Sequence, residues 1–325
     1  MKHDVKISVL MPVFNGEKYL AEAVDSILNQ TFTDFEFIIV NDGSTDATAK
    51  ILAGYGDERI RLVSSEHKGL VYCLNKGLEL SAGKYIARMD ADDISIPQRL
   101  QIQYDFMESY PDIGICGGNY RVLGGKYVSK LPATDADIRA TLFGQSAFCH
   151  PTVMLRKDVL DKSGLRYDKD FFRAEDYRLW IDLLDYTKGA TIPKVLLHYR
   201  LHATNVSVQA NKDFDSKMHI IGAIQFQYMH KYGLDIALPE CRTFAHFMDS
   251  SAFFFDLSGK DGKRLEQIIT KILSGLPAGS LKRKVIWNIC KILIYRAVKQ
   301  KSILYCLKSS FYRKLFASLI KQKLF

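Results

Sequence analysis

The chain has 325 residues, 47% hydrophobic and 25% charged, which suits one large globular domain or two and excludes a disordered or low-complexity polypeptide. Its six cysteines include no C-x-x-C pair, which argues against zinc-knuckle and redox motifs and for buried free thiols in a reducing compartment. The net charge of +9 is uneven: from residue 267 onward there are 13 Lys or Arg and no Asp or Glu, so 45 less 13 leaves 32 basic residues against 36 acidic before it, a net of −4.

The opening "MKHDVKISVLMPVFNGE" is too short in its apolar run for a signal peptide, and no stretch of about 18 apolar residues predicts a membrane span. The expected location is the cytoplasm. "VKISVLMPVF" predicts a strand buried on both faces. Asn15 is the expected cap of a helix marked by Leu20, Val24, Ile27 and Leu28. "FEFIIV" predicts a second buried strand, "STDATAKILAGY" a helix, "IRLVSS" a third strand, "LVYCLNKGLELSAG" a helix closed by Gly83, and "KYIARMD" a fourth strand. This alternation predicts an α/β domain with a mostly parallel sheet flanked by helices. Beyond Pro97, "PQRLQIQYDFMESY" and "EDYRLWIDLLDY" read as helices, and "IGICGGNYRVL", "TVMLRK" and "ATIPKVLLHYRLH" as strands. The α/β domain is expected at 1–205 and a helical C-terminal region at 206–325, which includes an aromatic cluster "FFFDLSG" and a basic amphipathic tail.

Ligands of open parallel sheets sit at the carboxyl ends of the strands. Three polar clusters fall at such ends: "FNGE", "NDGSTD" and "DADD". Asp90, Asp92 and Asp93 repel one another unless they share a proton or a cation, and oxygen ligands without Cys or a His pair suit Mg²⁺ or Mn²⁺. The competing view is an acidic loop leading into the helix after Pro97. "NDGSTD" is strong turn chemistry, in which Ser44 or Asp46 can cap the next helix; alternatively Asp42 accepts a hydrogen bond from a nucleobase N–H beside Gly43.

"SVLMPVFNGEKYLAEAVDSILNQTF", "FIIVNDGSTD", "LNKGLELSAGKYIARMDADD" and "EDYRLWIDLL", in that order, resemble the family 2 glycosyltransferases, inverting enzymes with the Rossmann-like GT-A fold. The resemblance covers about residues 5–205. It implies a nucleoside-diphosphate-sugar donor, with a UDP-sugar expected, and a glycan or lipid-linked acceptor. It implies that Pro12, Val13, Asn15 and Glu17 line the nucleotide pocket, that Asp42 holds the base, and that Lys68, with Asn75 in second place, meets the donor. Asp90 and Asp92 match the metal-binding D-x-D motif, with Ala91 between them on the donor. In "AEDYRLW" the resemblance implies Asp176 as general base, Glu175 being the alternative, and in "HYRLHATNVS" it brings Arg200 or His202 to the diphosphate or the metal. His150 is a candidate for an acceptor-side loop or for packing, and Trp180 for sugar stacking or for the core.

Three other functions compete. A nucleotidyltransferase would open with a Gly-rich, basic loop, and "MPVFNGEKY" offers only Gly16 and Lys18. A non-catalytic nucleotide-sugar module has no need of the Glu175–Asp176 pair. Nucleic-acid binding is not expected: basic residues alternating with Ile, Leu, Tyr, Phe and Trp from about 281 onward instead suit an anionic membrane surface, placing the protein peripherally at the inner face of the cell membrane, or a packed bundle with one basic face.

Overall fold

The computed structural model describes residues 5–249, 257, 260–299, 306 and 308–323. The "FFFDLSG" cluster, apart from Leu257, and most of "KSILYCL" lie outside them. The chain divides into two compact units, one of residues 1–134 with 148–208, the other of residues 135–147 with 209–325.

The first unit is built on one mixed sheet. β1 (Ile7–Val13) is buried along its whole length and pairs in parallel with β2 (Phe35–Asn41) and with β4 (Tyr85–Arg88). β3 (Ile60–Ser64) continues the parallel set beyond β2 as a half-exposed edge. On the other side β4 is followed by antiparallel β7 (Met154–Arg156), then β6 (Ile113–Val122), β8 (Lys188–Tyr199) parallel to it, and antiparallel β5 (Ile94–Ser95). The strand order is thus β3-β2-β1-β4-β7-β6-β8-β5, and β1, β2, β4, β6 and β8 all end at the same edge. Both prolines inside strands obey the loss of the N–H donor. Pro12 lies beyond the last β1–β4 rung, at Leu10 and Arg88, and Pro193 lies where the β6–β8 register jumps from Ile192 to Val195.

Helices cover the sheet. α1 (Leu20–Leu28) buries Leu20, Ala23, Val24 and Ile27, and α3 (Leu70–Leu80) buries Val71, Cys73, Leu74 and Leu78. α2 (Thr48–Ala53) is shorter than its sequence suggests. α4 (Arg99–Ser109), α6 (Lys157–Ser163), α7 (Glu175–Leu183) and α8 (Val206–Ala210) follow, whereas α5 (Asp135–Thr141) lies in the second unit. Two expected caps take other roles. Asn15 is not the N-cap of α1, since Gly16 O accepts the N–H groups of Tyr19 and Leu20. Gly83 does not close α3, which ends at Ser81; a Cβ there would stand 2.5 Å from Ser8 N, so glycine is required for close passage over β1.

The second unit is helical: α5, α9 (Phe214–Lys231), α10 (Leu238–Met248), α11 (Lys260–Gly275), α12 (Ser280–Lys299) and α13 (Ser310–Lys323). The buried Arg296 of α12 donates to the carbonyls of His246, Phe247 and Asp249, at the end of α10, where a helix leaves carbonyls without intrahelical partners. No described helix is long and apolar enough to cross a membrane.

Candidate functional site

The loops after β1 and β2 are stitched together. Asn15, at φ +49°, donates its N–H to Ser44 Oγ (2.9 Å) and accepts Thr45 N–H at Oδ1 (2.8 Å). Glu17 accepts Ala47 N–H (2.9 Å) and returns its own N–H to Asp46 (3.0 Å). The loop after β3 is gathered onto Asp42, which is 3% exposed. One Asp42 oxygen accepts Lys68 N–H (2.8 Å) and Ser65 Oγ–H (3.2 Å); the other accepts Gly69 N–H (2.9 Å) and stands 3.0 Å from His67 Nδ1. Gly43, at φ +69°, lets His67 N pass where a Cβ would lie 2.8 Å away. The Phe14 and His67 rings, both exposed, stack beside Asp42 with centroids 4.1 Å apart.

Pro12 and Val13 are buried at the end of β1, and Ala91 packs against the core. The Lys68 ammonium lies 4.9 Å above the Tyr72 ring. Asn75 is committed elsewhere than to a donor: its Nδ2 donates to Tyr167 O (2.8 Å) and its Oδ1 accepts Tyr167 N–H (2.9 Å).

The three aspartates after β4 converge, with one carboxylate oxygen of each within 4.8 Å of the others. The reason is local. β5 follows at once and pairs with Leu197 and His198 of β8, which brings residues 200–205 over the acidic loop. Arg200 N–H donates to Asp93 Oδ1 (2.8 Å) and Arg200 Nε to Asp92 O (2.8 Å), while its guanidinium pairs with Glu22 and covers the Tyr19 ring. His202 Nε2 stands 2.8 Å from Asp92 Oδ2, which also accepts from Asn205 Nδ2 (3.1 Å). Asp93 is 1% exposed, and its Oδ2 has no partner among the described residues. Burial, then the charges of Asp90 and Asp92, push the Asp93 carboxyl well above the usual range. Burial and Asp90 push Asp92 up, against the pull of His202.

Beneath them lies Arg88, 4% exposed and ion-paired with Asp90. Burial opposes its charge, but Asp90, Tyr167 and Asp93 outweigh that and hold the guanidinium charged. Its positive charge also favours ionisation of Glu175 in the first turn of α7. Glu175 is 5% exposed with Oε2 unpartnered among the described residues; burial, then Asp176, push its carboxyl up to about 7. Asp176 is the more open of the pair. His150 Nε2 is 2.8 Å from the Tyr167 hydroxyl, and burial followed by Arg88 holds the imidazole neutral. Trp180 is fully buried against Phe148, His150 and Tyr167, so it belongs to the core and cannot stack on a sugar. Sequence reasoning missed Phe14, His67, Arg88 and Tyr167; an Arg inside the apolar "YIARM" strand was the available signal for one of them.

An acidic triad, the Glu175–Asp176 pair and a set of joined loops at the strand ends define a class that comparison with known proteins identifies. The model for "Glycosyl transferase family 2" matches residues 8–164, and the chain belongs to this family. It is 36% identical over 205 residues to the O-antigen biosynthesis glycosyltransferase WbnJ of Escherichia coli, across 60% of this chain and 80% of that one. It is 27% identical over 223 residues to WfgD of Escherichia coli, the UDP-Glc:alpha-D-GlcNAc-diphosphoundecaprenol beta-1,3-glucosyltransferase, across 67% and 86%. S. aureus TarS 1–349 in complex with UDP-GlcNAc superimposes with TM-score 0.61 at 19% identity, over 98% of this chain and 92% of that one. Glucosyl-3-phosphoglycerate synthase from Mycobacterium tuberculosis, in complex with Mn²⁺, UDP and phosphoglyceric acid, does so with TM-score 0.52 at 19% identity, over 69% and 78%. The fold is therefore GT-A, with a helical C-terminal region.

Proposed function

We propose that the chain transfers a hexose-type sugar from a UDP-sugar to a hydroxyl of a glycan or lipid-linked acceptor, with inversion and with Mn²⁺ or Mg²⁺, in the synthesis of a cell-surface polysaccharide or lipopolysaccharide at the cytoplasmic face of the membrane. The single observation that carries this reading is the aspartate triad standing beside the buried guanidinium of Arg88, which pairs with Asp90 and whose charge also reaches Glu175. The named activities of WbnJ and WfgD support the polysaccharide role and the lipid-linked acceptor, and the UDP-GlcNAc and Mn²⁺ complexes support the donor and the ion.

The residues fit a hard divalent cation: all-oxygen donors lie close together, and the buried Asp93 Oδ2 lacks a partner among the described residues. Asp90 and Asp92 would hold the ion, with His202 beside Asp92. Bound there, the ion supplies Lewis-acid stabilisation of the departing diphosphate. Asp42 and the exposed Phe14 ring receive the base, which takes the place of the exposed His67 ring on both. Lys68 and Arg200 border the diphosphate. Asp176 takes the acceptor hydroxyl proton as the new bond forms at the anomeric carbon and the sugar–phosphate bond breaks, and a single displacement inverts that carbon. Glu175, buried behind it, positions and tunes it. The first unit carries all of these residues.

Asp176→Asn is expected to lose about 10²–10⁴-fold in transfer while still binding the donor. A screen of UDP-sugars with Mn²⁺ and with chelator measures donor choice and metal dependence together. Transfer unchanged in Asp176→Asn removes that residue from the mechanism, and full transfer after chelation, or in an Asp90→Ala/Asp92→Ala variant, removes the metal.

A further inference from the structure

Helix α12 contains no acidic residue. One face of it is core: Val285, Ile286, Ile289, Cys290, Leu293 and Ala297 are buried. The opposite face is not polar, as the outer face of a packed helix usually is. Ile294 is 47% exposed, Tyr295 46% and Val298 59%, and these are the exposed large apolar side chains of the second unit's described residues. They share two turns of one helix, whereas scattered single residues would need no explanation. Lys291 and Lys299 flank them, both exposed, each held against an aromatic ring: Lys291 Nζ is 5.1 Å from the Trp287 ring and Lys299 Nζ is 5.4 Å from the Tyr295 ring. Positions 287, 291, 294 and 298 fall on one stripe at helical spacing.

We infer that this stripe of α12 is a membrane-docking face, on which Ile294, Tyr295 and Val298 enter the headgroup boundary of an anionic bilayer while Lys291 and Lys299 meet lipid phosphates. The occupant follows from charge and side-chain type. Trp and Tyr suit the membrane–water interface, lysine stems lie along apolar surface while their ammonium groups reach phosphate, and no acid on the helix repels an anionic leaflet. The docking face stands without the proposed reaction, and rests on it only for its benefit: enzyme and lipid-linked acceptor are confined to one surface.

The test is co-sedimentation of the full chain with phosphatidylcholine vesicles and with vesicles containing phosphatidylglycerol. Binding is expected to the second kind only, weakened by salt. Ile294→Asp/Val298→Asp is expected to weaken it at least about tenfold, and Lys291→Gln/Lys299→Gln about thirtyfold at low salt, taking about 1 kcal/mol per lysine. Both variants alter exposed positions, and unchanged thermal unfolding confirms that they fold. The inference is overturned if the wild type ignores anionic vesicles or if the Ile294→Asp/Val298→Asp variant binds them equally. It is also overturned if that variant instead converts a dimer to a monomer in sedimentation, because the face would then belong to a second copy. The vesicle assay contains no donor or acceptor, so Asp176→Asn leaves it unchanged and failure of the catalytic reading is seen separately.

Discussion

Glu175 carries a cost that its neighbours do not remove. Its carboxyl ionises near 7 in the folded chain against an ordinary 4.5, because burial and then Asp176 penalise the anion. Below about pH 4.5 both folded and unfolded chains hold the proton, and the fold bears no penalty. Between 4.5 and 7 the unfolded chain ionises while the native one retains its proton, so stability falls as pH rises, and above 7 the loss is complete. Glu175→Gln keeps the shape without the charge. It is expected to match the wild type near pH 4 and to exceed it by up to a few kcal/mol above pH 7 in denaturant unfolding. Equal stability at both ends of that range shows that the native carboxylate is not penalised. The acid pair was visible in the sequence as "AEDYRLW", but the burial of Glu175 was not, nor was the charge of Arg88 that reaches it from 87 residues earlier in the chain. Arg88 itself hid in a strand whose apolar neighbours marked it as interior.

At the level of elements, the long buried runs were legible: β1, β2 and β4 occupy the apolar stretches that predicted them, and α1, α3, α4 and α7 fall within the segments that predicted helices. β5 and β7 are two and three residues long; β7 falls within the predicted "TVMLRK", but the places of both in the sheet depend on partners 38 to 104 positions away, from Cys116–Met154 to Ile94–His198, which no local pattern reveals. Asn75 shows the same limit. Its α3 helix was predicted, yet its amide clasps a segment 92 residues on. Tyr167, held by that clasp, touches His150 and faces Arg88, so Asn75 acts on the site through a backbone. Asn75→Ala leaves a partly buried Tyr167 N–H and C=O without their partner, at a cost of about 1–3 kcal/mol. The expected result is a lowered melting temperature and a fall in kcat with donor KM nearly unchanged. A raised donor KM with unchanged kcat would instead show that Asn75 meets the donor directly.

At the level of the molecule, the chain does not divide at a single point. It leaves the first unit after Thr134 and re-enters it at Phe148, and the intervening segment packs into the second. Ile138, Leu142 and Phe143 are almost fully buried there. Asp137 pairs with Lys284, Thr141 Oγ1 accepts from Asn288 (3.3 Å), Gly144 O accepts from Gln225 (2.9 Å), and Phe143 packs edge-on to Tyr228 (5.0 Å). A fragment ending at residue 208 keeps the site but strips these side chains of their cover. At about 1.5–3 kcal/mol for each large apolar side chain, the exposure of three makes the fragment prone to associate. Both ends of the excursion are held on β8, where Ala133 O accepts Thr191 N–H (3.0 Å) and the Phe148 ring lies against Gly189. A short Gly-Ser linker in place of residues 135–147 therefore fits between them. The linked fragment is expected to be monomeric by light scattering, to unfold cooperatively and to bind the donor, while the fragment that retains 135–147 aggregates. If the two behave alike, helix α5 does not depend on the second unit for its burial, and the division of the chain into these units is not a division of its folding.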